Sequence, residues 1–131
     1  MKLNHIGLNI QSEEEIVDFY KNILGFQFEF QFDLPIELGD DIFGVNKQIK
    51  VFLYKREDIL LELFVHTTNP IKGFSHFCFE LTDRENIAAK CEKNGYHVIR
   101  IKRNDKADIL FIKDKAGNIF ELKMENNENV S

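Results

Sequence analysis

Four residues of this chain have the types and spacing that metal chemistry needs. His5 opens the segment His5-Ile6-Gly7-Leu8-Asn9-Ile10, and His76 opens His76-Phe77-Cys78-Phe79-Glu80-Leu81. Glu62 lies in Leu60-Leu61-Glu62-Leu63, and Glu121 in Ile119-Phe120-Glu121-Leu122. A carboxylate inside an apolar strand costs free energy unless it is paired or binds a metal. Here it occurs in the same pattern twice. Side chains alternate across a sheet, so His5 and Glu62 can share one face, as can His76 and Glu121. Two imidazoles and two carboxylates suit a divalent transition metal such as Ni, Zn, Co, Mn or Fe. Octahedral coordination would leave two positions for water or substrate. Taken singly, a strand histidine is more often a core or edge residue, and a glutamate such as Glu29 faces solvent; the matched positions carry the metal reading. His66 and His97 have no counterpart and read as surface or rim residues. Cys78 shares the expected face of His76 but reads as small buried filler.

The elements that would position these residues form a repeat. A capping box, Ser-x-x-Glu, stands at Ser12 to Glu15, and a Thr-x-x-Glu box stands 70 residues later at Thr82 to Glu85. The first expected helix stops at Gly25 and the second at Gly95, the same interval on. Ile16, Phe19, Tyr20 and Ile23 make the apolar stripe of the first helix, and Ile87, Ala88 and Cys91 a weaker one in the second. Phe26, Phe28, Phe30 and Phe32 alternate with polar residues, as in a half-buried strand, and read as core rings rather than a ligand cage.

The first module is read as strand 3–10, helix 13–24, and strands 26–32, 48–55 and 58–65. The second is read as strand 73–81, helix 83–94, and strands 97–102, 107–113 and 118–124. Each is β-α-β-β-β, with hairpin turns at Arg56-Glu57 and at Asp114 to Gly117. A single domain over 1–125 is expected, with modules at about 3–66 and 73–124 and a frayed polar tail over 126–131. The modules differ between Phe32 and Gln48, where a structureless loop is expected, with Pro35, Gly39 and Gly44 as turn points and Asp40-Asp41 as a solvated turn. Its apolar residues, among them Leu34, Ile36 and Phe43, could line or gate a cleft.

Length and charge narrow the function. The chain has 131 residues, 44% hydrophobic and 30% charged, which is ordinary for one globular domain. A net charge of −5 argues against nucleic acid or a membrane surface as partner. No apolar run reaches the ~18–20 residues of a membrane span, and Met1-Lys2-Leu3-Asn4 does not open like a signal peptide. A cytoplasmic protein with two reduced cysteines is expected.

Five segments resemble the vicinal oxygen chelate superfamily, also called the glyoxalase/bleomycin-resistance/dioxygenase fold. They are His5-Ile-Gly-Leu-Asn-Ile, Asp18-Phe-Tyr-Lys-Asn-Ile-Leu-Gly-Phe26, the strand around Glu62, Gly73-Phe-Ser-His76, and Asp114-Lys-Ala-Gly-Asn-Ile-Phe-Glu-Leu122. The resemblance spans about Leu3 to Lys123. It implies an α+β fold of two paired βαβββ modules whose curved mixed sheet surrounds a concave metal site, and a homodimer. Glyoxalase I-like and methylmalonyl-CoA epimerase-like members use four ligands, which fall here on His5, Glu62, His76 and Glu121. Fosfomycin-resistance and extradiol-dioxygenase members use a His-His-Glu pattern without the first Glu, and bleomycin-binding members usually lack the ligands. Many bacterial glyoxalases I carry an Arg that helps hold glutathione where this chain has Asn9, so the thiol is left open.

The resemblance thus implies a metal-dependent glyoxalase I-like (lactoylglutathione lyase-like) lyase or isomerase that moves a proton through a metal-stabilised enediolate. Glu121 is the first candidate base and Glu62 the alternative. The expected substrate is a small molecule, either a 2-oxoaldehyde thiol adduct or an acyl thioester. The alternatives are an acyl-CoA epimerase, for which Lys55, Arg56, Arg100, Lys102 and Arg103 could take phosphates, and a non-catalytic protein binding an antibiotic or other small molecule.

Overall fold

In the computed structural model, residues 1–67 and 73–125 are described. The expected Asn69-Pro70 turn and the tail over 126–131 lie outside them. Two compact units divide the chain, Met1–Asn69 and Pro70–Ser131. Unit 1 carries β1 (Ile6–Ile10), α1 (Glu13–Glu15) running into a π-helix (Ile16–Lys21), β2 (Gln27–Leu34), α2 (Ile36–Phe43), β3 (Ile49–Arg56) and β4 (Ile59–Val65). Unit 2 carries β5 (Phe77–Leu81), α3 (Arg84–Lys93), β6 (His97–Ile101), β7 (Ile109–Lys113) and β8 (Ile119–Met124). Each unit folds a four-stranded mixed sheet, ordered β1-β4-β3-β2 and β5-β8-β7-β6. The first strand of each pairs in parallel with the last, and the other pairs are antiparallel. The two βαβββ modules expected from the sequence are therefore present with the same topology.

Alternation decides which sheet face is core. Leu8, Ile10, Leu61 and Leu63 are buried in unit 1, and Leu110, Ile112, Phe120 and Leu122 in unit 2. The residues between them point to the other face, which is where Glu62 and Glu121 stand. The first helix is not a simple α-helix. Asn22 N–H donates to Val17 O at 2.9 Å and Leu24 N–H to Phe19 O at 2.9 Å, the wider i→i−5 spacing of a π turn. Phe19, Tyr20, Ile23 and Leu24 are all buried along it. Ser12 Oγ accepts from Glu15 N at 3.3 Å, as the first capping box requires. The second box does not form: Asp83 is the N-cap of α3 and makes no side-chain cap bond, and Glu85 instead faces Arg84 and Arg100. Gly25 and Gly95 end the helices at φ 77° and 79°, values open to glycine.

Three expectations need correction. The stretch over 33–47 is not structureless, because Ile36–Phe43 forms α2. Pro35 stands at its N-cap and Gly44 is its left-handed C-cap, so the residues taken as turn points are helix boundaries, and Asp40-Asp41 is helical rather than a turn. The phenylalanines of the second strand do not all enter the core. Phe26 is buried, but Phe28, Phe30 and Phe32 are 51%, 54% and 38% exposed. β2 is an edge strand, and a bulge between Phe28 and Phe30 sets Phe28 beside Tyr54 and Phe30 beside the adjacent Leu53, on opposite faces. The first strand of each unit also begins late, at Ile6 and Phe77, so His5 and His76 stand on the segments leading into them. Among the described residues no helix is long and apolar enough to cross a membrane.

Candidate metal centre

Each unit brings its expected histidine and glutamate together. In unit 1, His5 Nε2 lies 3.3 Å from Glu62 Oε2. In unit 2, His76 Nε2 lies 3.7 Å from Glu121 Oε1. The two pairs match in solvation as well: the imidazoles are 42% and 41% exposed and the carboxylates 19% and 20%. The registers that place the carboxylates are equivalent. Glu62 sits between Gly7 and Leu53, and Glu121 between Cys78 and Phe111.

The second ring nitrogen of each histidine is already occupied. His76 Nδ1 lies 2.7 Å from the carbonyl of Phe74. A carbonyl can only accept, so Nδ1 carries the proton and donates. His5 Nδ1 makes the same kind of bond to Asn4 Oδ1 at 2.9 Å. In the neutral ring this leaves Nε2 bare, facing a carboxylate oxygen. Two acceptors that face one another across 3.3–3.7 Å repel unless a proton or cation lies between them. A backbone or side-chain oxygen on Nδ1 is also the usual outer partner of a metal-binding histidine. The donor chemistry of both pairs therefore fits a divalent cation. Among the described residues, neither unit by itself gathers three or more His, Cys, Asp or Glu side chains that could share an ion.

The strand that carries Glu121 is held by contacts that sequence reading missed. Asn118 N–H donates to Asp114 Oδ1 at 2.8 Å and Asn118 Nδ2 to Asp114 Oδ2 at 2.8 Å, closing the expected turn ahead of β8. Gly117 completes it at φ 94°. Arg84, almost wholly buried, donates from Nη1 to Leu122 O at 2.9 Å and to Asp108 O at 3.0 Å. Only its place at the start of a helix after the Thr82 box could have drawn notice to Arg84.

Cys78 is not buried filler but exposed, in register with Glu121. Burial of the sulfur and then the Glu121 charge push its thiol up, and a hydrogen bond to Glu121 adds to this. Cys91 is the buried cysteine, and burial pushes its thiol up to about 12. His97 is exposed, as a surface residue should be. His66 lines a cavity of unit 1 together with Asn9. Three of the five basic residues considered for phosphate binding are engaged within the chain. Arg56 donates to Leu24 O, Arg103 to Ala107 O, and Arg100 pairs with Glu85 and Asp108.

Comparison with known proteins agrees with this fold. A curated relative, catechol-2,3-dioxygenase of Bacillus subtilis, is 29% identical over 123 residues, which is 90% of this chain. The chain spans 40% of that relative's length. A crystal structure of the fosfomycin resistance protein FosX from Listeria monocytogenes superposes with a TM-score of 0.74 at 13% identity, covering 98% of this chain and 96% of that one. A glyoxalase family protein from Enterococcus faecalis does so with a TM-score of 0.68 at 19% identity, covering 92% and 95%. The model of the Glyoxalase/Bleomycin resistance protein/Dioxygenase superfamily matches residues 2–122, and the chain belongs to that superfamily.

Proposed function

We propose that the chain is a metal-dependent enzyme of this superfamily, a glyoxalase I-like lyase or isomerase that moves a proton at a carbon next to a carbonyl. One divalent ion would be held by His5, Glu62, His76 and Glu121. The observation that carries this reading is the repeated pair of a bare Nε2 facing a carboxylate, in the same register in both units. When bound, the ion supplies a positive charge that polarises a substrate oxygen and lowers the cost of removing the neighbouring proton.

The chain's own groups supply the rest. Asn4 and the Phe74 carbonyl fix the imidazole tautomers, so that His5 and His76 present a lone pair at Nε2. Glu121 is the proton acceptor in this reading. It is four-fifths shielded from water, and the Cys78 thiol beside it donates a hydrogen bond that can follow a change in its charge. Glu62, facing Gly7, has no such side chain opposite it and serves as a ligand.

Engagement of Arg56, Arg100 and Arg103 removes most of the cluster that favoured an acyl-CoA epimerase. A second reading rests on the relatives: one is a catechol-2,3-dioxygenase, and FosX has been crystallised with Mn(II) and 1S,2S-dihydroxypropylphosphonic acid. Glu62 beside His5 favours the four-ligand reading over this one.

The test is an assay panel on metal-loaded protein: 2-oxoaldehyde hemithioacetals of several thiols, methylmalonyl-CoA, and catechol with Fe(II). Turnover of a hemithioacetal that disappears in Glu121→Gln is expected. Turnover of catechol alone would overturn the lyase reading in favour of the second. The resemblance also leads us to propose a homodimer, with the exposed Phe30 and Phe32 of edge strand β2 covered by the partner.

A further inference from the structure

Unit 1 contains a cavity of about 300 Å³ that the metal reading does not use. Its floor is the sheet face that also carries Glu62: Gly7 and Asn9 of β1, Ile49 of β3 and Phe64 of β4. Its cover is Leu34, Phe43 and Val45, from α2 and its flanks. Phe43 and Phe64 meet edge to face at 5.5 Å, closing one side. The volume is at the lower end of small-molecule sites, and the lining is mostly apolar with few polar groups, as such sites are.

Two glycines keep the space open. A Cβ on Gly39 would meet Val45 O at 3.0 Å, and one on Gly7 would meet Phe64 Cε2 at 3.2 Å. Either would push on a cavity wall. The segment that stands out as an asymmetry between the modules therefore roofs a chamber.

His66 gives the chamber its polar end. Its backbone N–H is used, donating to Ile10 O at 3.1 Å. Its Nδ1 is buried and has no hydrogen-bond partner in the protein. A buried polar atom left so costs free energy, and a ligand group that reaches it recovers that cost. Burial and then the Lys47 charge hold the imidazole below the usual histidine range. The ring is therefore neutral near pH 7, and a charged ligand gains no ion pair from it. Nδ1 of a neutral ring either donates or accepts, and a hydroxyl satisfies both cases.

We propose that this cavity binds an uncharged, mainly apolar compound of small-aromatic size through a hydroxyl that hydrogen-bonds His66 Nδ1, making His66 a specificity-determining residue. This deepens the functional reading, on which it rests only for the identification of that compound as substrate; binding itself needs no metal.

The test uses chelator-treated full-length protein, with 4-ethylphenol and ethylbenzene as probes in calorimetry. Saturable binding of 4-ethylphenol is expected, about tenfold tighter than ethylbenzene, the worth of one buried hydrogen bond. His66→Phe should erase that preference and leave ethylbenzene binding unchanged, and Val45→Trp should abolish both. Should a variant fail to fold, intermolecular NOEs in the parent protein decide. Contacts from the probe ring to the methyls of Leu34, Val45 and Ile49 are expected. No saturable binding, a preference that survives His66→Phe, or NOEs to other methyls would overturn the proposal. Probe binding without metal binding would sink the metal reading alone, and metal binding without probe binding would sink this one alone.

Discussion

Arg84→Met is the substitution whose cost can be worked most directly from the structure. Arg84 is 5% exposed, and its Nη1 bonds the carbonyls of Asp108 and Leu122 at 3.0 and 2.9 Å. A hydrogen bond from a charged donor contributes about 1.5 kcal/mol or more, so the two together contribute about 3 kcal/mol. Met fills the aliphatic volume, removes a buried charge and leaves both carbonyls without this donor. The Nε–Glu85 ion pair, at 3.5 Å with a largely exposed carboxylate, adds little. The net loss should be about 2–3 kcal/mol, a fall in Tm of about 10 °C for a chain of this size. Arg103→Met is the matched control. It too donates to a carbonyl, Ala107 O at 3.0 Å, but is exposed, and should shift stability by less than about 0.5 kcal/mol. Thermal melts followed by circular dichroism read both. If Arg84→Met melts within about 3 °C of the parent, or if the control falls as far, the role given to the buried carbonyl bonds is wrong.

Other outcomes follow from the same contacts. Asn4→Ala removes the acceptor on His5 Nδ1 and should weaken metal binding by about tenfold, read by competition with a chromophoric chelator. In native protein one thiol per chain should react with a disulfide reagent, that of exposed Cys78, and two after denaturation; prompt native reaction of both would contradict the burial of Cys91. The hydrogen bond from Arg100 holds the Glu85 carboxyl below the usual glutamate range. Its contribution is therefore present above the unfolded value of about 4.3 and lost as pH falls through the lower folded value. Arg100→Gln should thus narrow the gap from parent as pH drops below about 4. Light scattering should give twice the 15.4 kDa chain mass, with dissociation in Phe30→Lys; a parent of 15.4 kDa would refute the dimer.

The repeat was legible because each module states it several times: helix stops at Gly25 and Gly95, and a Glu in the last strand of each module. Alternation alone put His5 with Glu62 and His76 with Glu121, and the structure pairs them so. Local signals failed where tertiary context decided. The stripe from Ile16 to Ile23 fits an α turn and a π turn equally. Alternation along β2 could not reveal the bulge after Phe28 or that the strand lies at an edge. Pro35 and Gly44 were recognised as boundaries, but Gly39 and Asp40-Asp41, poor helix formers, hid the helix between them. Nothing around His66 in the sequence announces a buried Nδ1, because the residues that enclose it come from β1, β3, β4 and α2.

Metal stoichiometry tests the central claim most directly. Chelator-stripped protein, reloaded with Mn, Co, Ni or Zn, desalted and analysed by mass spectrometry of the elements, should hold one ion per chain. His5→Ala and His76→Ala should each remove most of it, because the four ligands are proposed to serve a single ion. Two ions per chain, each lost with only one of the substitutions, would mean that the His–Glu pairs act separately. Full occupancy with His5, Glu62, His76 and Glu121 all changed to Ala would contradict the metal centre itself.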